Sequence, residues 1–175
     1  MKTIFEMRKI LVIAAMLAVT AIAAAQIKIP NTRVSFSFPD KSWKYLETNT
    51  VDKNTSVYLY SYAGDYVVDN TGDTVLPFMR IYVRRNYEGS VYDMAYSRFT
   101  TQPFQSLDEY VYDDGSFGYL GAYTNNDDGK DYEFRMLYIK DKNTIIEIRL
   151  ETTRFNFDDF DSTFTAILKS VKISK

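Results

Sequence analysis

The plentiful chemistry-bearing side chains of this 175-residue chain are its 23 Asp and Glu, because it contains no histidine and no cysteine. That absence excludes thiolate and imidazole metal sites, disulfides, Cys/His and Ser/His/Asp catalytic units, and an imidazole proton shuttle. Paired carboxyls remain, as in glycoside cleavage, which needs two of them about 5 to 9.5 Å apart across a sugar. Asp113 with Asp114, and Asp127 with Asp128, stand at predicted hairpin tips, where Asp serves the turn itself. Glu147 and Glu151 are four apart on a predicted strand, hence on one face but about 13 to 14 Å apart along it, too distant to form such a pair. An acid/base hydrolase is therefore the least favoured reading, and we expect a non-enzyme.

Hard cations prefer clustered carboxylate and amide oxygens, so Asn125 to Asp131 invites a calcium reading. Aligning Gly129 with the glycine of an EF-hand loop puts Thr124 at the first ligand position and Arg135 where a bidentate Glu belongs, and the match fails. A looser site here, or in Asp69-Asn70-Thr71-Gly72-Asp73, stands as the alternative to plain solvated turns. Gly115, Gly118 and Gly121 do not have dinucleotide-fingerprint spacing, and Gly129-Lys130 is followed by Asp131 rather than Ser or Thr. No metal, nucleotide or other cofactor is expected.

A different constellation points to recognition. On strand-like segments Tyr58, Tyr60, Tyr62, Arg80, Tyr82, Arg84, Glu147, Arg149 and Glu151 alternate with aliphatic residues, predicting one sheet face rich in rings and arginine. Tyr and Arg are over-represented at binding hot spots. The same residues also suit amphipathic cover with Arg/Glu cross-strand pairs, or a floor beneath a helix. Trp43 could stack on a sugar, but beside Pro39 at a strand end it is expected in the core. Asp73-Thr74-Val75 and Asp161-Ser162-Thr163 resemble short O-glycosylation signals of exported proteins.

The elements that position these residues are mostly strands. Arg33 to Phe38, Thr55 to Tyr62, Val75 to Arg85 and Ile145 to Glu151 show the two-residue period. Asp113-Asp114-Gly115, Asn125 to Gly129 and Asp141-Lys142-Asn143 are turn sequences, so residues 105–153 should form a four-strand meander. Connections this short demand antiparallel neighbours. From Phe157 the period becomes helical: Phe160, Phe164, Ile167, Leu168 and Val171 share one arc, with Asn156 as N-cap and Asp158, Asp159 and Asp161 near the positive helix end. Ser90 caps a second, weaker helix to about Gln102, burying Val91, Met94, Ala95 and Phe99.

Residues 1–25 have the layout of a cleavable secretory signal: Lys2, Arg8 and Lys9 against Glu6, then the apolar run Ile10 to Ala25 closing on small residues. Removal of its three basic groups and one acidic group leaves 18 basic against 22 acidic residues, a formal charge of −4 on residues 26–175. No basic stripe suited to nucleic acid results, and nothing beyond the leader is expected to span a membrane. With no linker or repeat, 26–175 reads as one α+β domain, exported to the periplasm or the exterior.

Two stretches carry a family resemblance. Phe36-Ser37-Phe38-Pro39-Asp40-Lys41-Ser42-Trp43 resembles the strand, Pro and Trp opening of the PsbP-like and DcrB-like families, and Phe164 to Ile173, around Leu168-Lys169-Ser170-Val171, resembles their closing helix and exit strand. The resemblance implies a mainly antiparallel sheet of about seven strands flanked by helices, and a non-enzymatic accessory or binding role. One branch supports the oxygen-evolving complex of photosystem II and another binds the Ran GTPase. It implies no catalytic residues here, and a secretory leader argues against nuclear transport.

The expected function is an accessory protein that offers Tyr58, Tyr60, Tyr62, Arg80, Tyr82, Arg84 and Arg149 to an envelope protein. The runner-up is a glycan or small-ligand module using Trp43 and the tyrosines.

Overall fold

The computed structural model describes residues 25–65, 67–101, 104–111, 117–125 and 129–174. The predicted leader up to residue 24, the tip bearing Asp113, Asp114 and Gly115, and the residues Asn126, Asp127 and Asp128 lie outside them. In chain order the strands are β1 (Ile27–Lys28), β2 (Val34–Phe36), β3 (Trp43–Thr50), β4 (Thr55–Tyr62), β5 (Val67–Val68), β6 (Thr74–Val75) and β7 (Phe78–Arg84). Helix α1 (Val91–Thr101) follows, then β8 (Phe104–Val111), β9 (Phe117–Asn125), β10 (Lys130–Asp141) and β11 (Thr144–Thr153). A 3-10 turn (Arg154–Asn156), α2 (Phe157–Lys169) and β12 (Lys172–Ile173) complete the chain.

The principal sheet has seven strands in the order β3-β4-β7-β11-β10-β9-β8, every neighbouring pair antiparallel. The meander β8 to β11 is the one the turn sequences predict, with Lys142 taking a left-handed φ of 57° in the Asp141–Thr144 hairpin. The predicted strand from Val75 to Arg85 is broken. Pro77 has no N–H to give to a ladder, so Val75 pairs back on β5 and the long strand starts at Phe78. The Arg33–Phe38 segment joins a separate three-stranded sheet, β1-β2-β12, instead of the large one.

One face of the large sheet carries Met79, Ile81 and Val83 beside Ile146, Ile148 and Leu150, and is covered by α2 and the small sheet. Helix α2 buries Phe157, Phe164, Ile167 and Leu168, with Phe160 and Val171 packed alongside, which is the arc that the helical period specifies. Asn156 occupies the N-cap position but its side chain makes no cap bond. The chain enters through the 3-10 turn, and the Asn156 amide donates to Thr153 Oγ1 instead. Ser170 at the far end of α2 accepts from Ser37 N at 2.8 Å, joining the Phe36–Trp43 stretch to the end of the Phe164–Ile173 stretch.

Strand β4 is turned the other way from the sequence expectation. Tyr58 and Tyr60 lie directly opposite Ile81 and Met79, so Tyr58, Tyr60 and Tyr62 project into the α2-covered core while Val57 and Leu59 project outward. The reason is distance. Helix α2 packs on β10 and β11, further along the sheet, and the space between β4 and the small sheet is filled by rings rather than short aliphatic chains. Tyr60 meets Phe36 and Phe38 at 5.7 and 5.4 Å, Tyr62 meets Phe160 at 5.0 Å, and Trp43, only 6% exposed, stacks on Phe38 at 5.4 Å. Burial also raises the Tyr60 phenol above its usual pKa.

On the opposite face, Ser90 opens α1 as predicted. Its Oγ accepts from Asp93 N at 2.9 Å and donates to the Asp93 carboxylate at 2.6 Å, a reciprocal cap. Met94 and Ala95 seat the helix on Phe134, Met136, Tyr138 and Ile145, while the side chain of Phe99 is outside the described set. Asp141 ties the small sheet to this body through Arg33 N and Nε, both at 2.7 Å. Burial works against that carboxylate, but the Arg33 contacts outweigh it and hold its pKa below the ordinary value. From the reversed facing of β4 follows a paired test: Tyr60→Ala should cost about 3 to 5 kcal/mol in urea denaturation, as for a deleted core ring, and Leu59→Ala clearly less.

Candidate binding face

Strand period places Arg80, Tyr82 and Arg84 on one face of β7, and register places Arg149 and Glu147 directly opposite the first two. Two arginines facing each other across a ladder would repel. Glu151 resolves this by accepting ion pairs from both Arg80 and Arg149, the latter at 2.8 Å. One step along, Glu147 is paired with Arg84 at 2.8 Å and with Arg98, reaching from α1, at 3.5 Å. The face therefore holds two Arg–Glu–Arg triads.

The glutamates are the inner members, 1% and 4% exposed for Glu147 and Glu151, whereas the Arg80 and Arg98 side chains are 34% exposed. Burying a lone carboxylate costs several kcal/mol, and two guanidinium partners offset that cost with charge-assisted hydrogen bonds. Rings complete the arrangement. Arg84 lies 4.9 Å and Arg98 5.9 Å from the Tyr82 ring centre, Arg80 lies over Phe78 at 5.5 Å, and Arg149 over Phe134 at 5.1 Å. Beside Glu147, burial and its negative charge push the Tyr138 phenol far above the usual tyrosine range. Among the described residues the triads contain four arginines and two glutamates, an excess of two positive charges on a chain of net charge −2.

Of the expected site residues, the structure brings together Arg80, Tyr82, Arg84 and Arg149, and sends Tyr58, Tyr60 and Tyr62 to the other face. Helix α1 covers the β9–β10 half, leaving Val57, Leu59, Arg80, Tyr82 and Arg84 half-buried on the β4–β7 half. Glu147 and Glu151 are structural ion-pair partners rather than an acid/base couple. Trp43, buried against Phe38, presents no stacking surface. Thr74 and Ser162 of the two glycosylation-like signals are exposed, the second within α2. Arg98 escaped the sequence reading, although it follows Val91 by seven residues and so continues the buried arc of Val91, Met94 and Ala95.

The Asp69–Asp73 turn, considered above for calcium, is closed by an internal cation. Lys130 Nζ stands 2.8 Å from Asp69 Oδ2 and 2.7 Å from Asp73 Oδ2. Among the described residues no group of three or more acidic side chains is placed to hold a metal. Hydrogen bonds from Lys130 and then Thr71 hold both carboxyls below their ordinary range.

The arrangement of sheet and helices matches that of solved proteins. LpqN of Mycobacterium tuberculosis, involved in cell envelope biogenesis, aligns with TM-score 0.54 and 12% identity over 93% of this chain and 97% of its own, a likeness of fold. A protein of unknown function from Pseudomonas aeruginosa aligns at 0.49 with 8% identity, covering 87% and 97% of the two chains. Cyanobacterial PsbP from Synechocystis aligns at 0.47 with 12% identity, covering 90% and 96%. No protein-family model matches the chain, and no curated protein does.

Two measurements probe these ion pairs. Glu147→Gln leaves Arg84 and Arg98 facing a neutral amide and should destabilise by roughly 3 kcal/mol, while Arg84→Gln, with Arg98 still in place, should cost less. For Asp69 the folded pKa lies below the ordinary value of 3.8, so its contribution is complete above about pH 5 and is lost as pH falls through the folded value. Lys130→Gln should therefore lower the melting temperature at neutral pH, and the gap to the unaltered protein should shrink on acidification toward about pH 2.

Proposed function

We propose that the chain is an exported, non-enzymatic accessory protein of the cell envelope that docks an acidic surface of a protein partner on the β4–β7 half of the arginine face. The observation that carries this reading is the pair of triads: Arg80, its side chain 34% exposed, and the Tyr82 ring remain accessible beside the apolar Val57 and Leu59, with the less exposed Arg84 packed on that ring. Such a surface combines residues enriched at hot spots with a local charge opposite in sign to the whole chain. The inner glutamates keep the guanidiniums oriented before a partner arrives, which reduces the ordering cost of association.

Export rests on the leader-like residues 1–25, and among the described residues no helix is long and apolar enough to cross a membrane. The envelope role of LpqN supports the same compartment. Absence of His and Cys, with the inner glutamates neutralised by arginine, supports a role without catalysis. The rival reading, a ligand stacked on Trp43 and the tyrosines, loses its platform because Trp43 and Tyr60 are buried.

A photo-crosslinking side chain introduced at Val57 in the native host should give one discrete adduct, whereas the same group at Thr165 on α2 should not. The adduct should disappear in an Arg80→Gln/Arg84→Gln protein that keeps its fold, since Arg149 and Arg98 still neutralise the two glutamates. Equal adducts at both positions, or one indifferent to the arginines, would refute the proposal.

A further inference from the structure

Three turns converge at one end of the large sheet: the β5–β6 turn (69–73), the start of β10 (129–131) and the 3-10 turn after β11 (153–155). Between them lies a cavity of about 320 Å³, lined among others by Asp69, Asn70, Lys130, Asp131, Arg154 and Phe155. It is separate from the arginine face and from the core.

Its floor is rigid. Asp69 Oδ1 accepts from Thr71 N, Thr71 Oγ1 and Asp73 N at 2.9, 2.6 and 3.0 Å, and Lys130 clamps the same turn from β10. Its rim carries an unusual residue. Phe155 is 63% exposed although it sits between the buried Thr153 and Asn156, so the turn is anchored on both sides of a ring that contributes little to the core. A large apolar ring held out at a cavity mouth has a face to offer.

The polar groups narrow the ligand. Asp69 and Asp131 are matched in number by Lys130 and Arg154, and those cations also engage Asp73 at 2.7 Å and Glu133 at 3.3 Å, so the site has no excess positive charge with which to select an anion. Asn70 is exposed and supplies both a donor and an acceptor, Asp131 adds acceptors and Arg154 adds donors. Hydroxyl groups, which donate and accept at once, are what such a mixed set satisfies, while the C–H face of a sugar ring suits Phe155. The volume is at the small end for ligand pockets, enough for a single ring with the rest of the ligand outside.

We propose that this cavity binds a neutral saccharide unit, stacked on Phe155 and hydrogen-bonded by Asn70, Asp131 and Arg154. The inference is independent of the partner-docking reading. Saturation-transfer NMR on the purified protein with maltose, cellobiose and N,N′-diacetylchitobiose should show transfer to at least one of them. Phe155→Ala should weaken that binding about tenfold with an unchanged melting temperature, because the ring is exposed. Asn70→Ala, at an exposed turn position, should weaken it too and provides the readout if the Phe155 variant unfolds. Arg80→Gln/Arg84→Gln should bind sugar as before, separating this site from the arginine face. Absence of transfer from all three sugars, transfer unaffected by both cavity variants, or preference for glucose 6-phosphate over glucose would overturn the proposal.

Discussion

The structure depends on how β11 carries charge through the middle of the molecule. Every residue from Ile145 to Thr153 is buried, yet Glu147, Arg149 and Glu151 lie among them. Placing a carboxylate there costs several kcal/mol of lost hydration unless cations stand close beside it. Strand β7 supplies Arg80 and Arg84, and α1 supplies Arg98. Those demands fix the pairing of β7 with β11 and the resting place of the helix together. A one-residue slip of β7 would bring Val83 and Met79 against Glu147 and Glu151 and drive the arginines into the aliphatic layer. Hydrophobic and ionic patterning thus enforce the same register from opposite faces.

The second organising feature is a division of labour within the core. Branched aliphatics of β7 and β11 fill the centre, where α2 lies close to the sheet. Toward the β3 edge the space widens and is filled by Phe36, Phe38, Trp43, Tyr60 and Tyr62 in edge-to-face and stacked contacts. Rings span more distance per residue than Val or Ile, and tyrosine hydroxyls can still reach water at the margin. The aromatic spacing around Phe36, Phe38 and Trp43 is the sequence trace of this wedge. Ser170, bonded to Ser37, locks the helix end against it.

Two surfaces emerge from this scaffold with different chemistry. The arginine face is broad, partly apolar and locally cationic, which suits a macromolecular contact. The cavity by Phe155 is small, without excess positive charge and floored by a tightly hydrogen-bonded turn, which suits a compact ligand. A fold shared with LpqN fixes neither role, since function resides in side chains that a likeness at 12% identity does not carry over.

Local pattern alone determined the antiparallel meander, the two helices with their buried arcs, the Ser90 cap and the exclusion of thiol and imidazole chemistry, because each follows from periodicity, turn residues or composition over a few neighbours. It also placed Arg80, Tyr82, Arg84 and Arg149 on one face. What it could not decide was which face of β4 turns inward. Val57 and Leu59 alternate with three tyrosines, both sets are hydrophobic enough to be buried, and only the width of the gap beneath the small sheet selects the rings. The cations that close the Glu147 triad and the Asp69 turn, Arg98 and Lys130, come from elements distant in the chain. Their partnerships exist only once tertiary packing has brought helix, strand and turn together, because an ion pair is specified by separation in space rather than along the sequence.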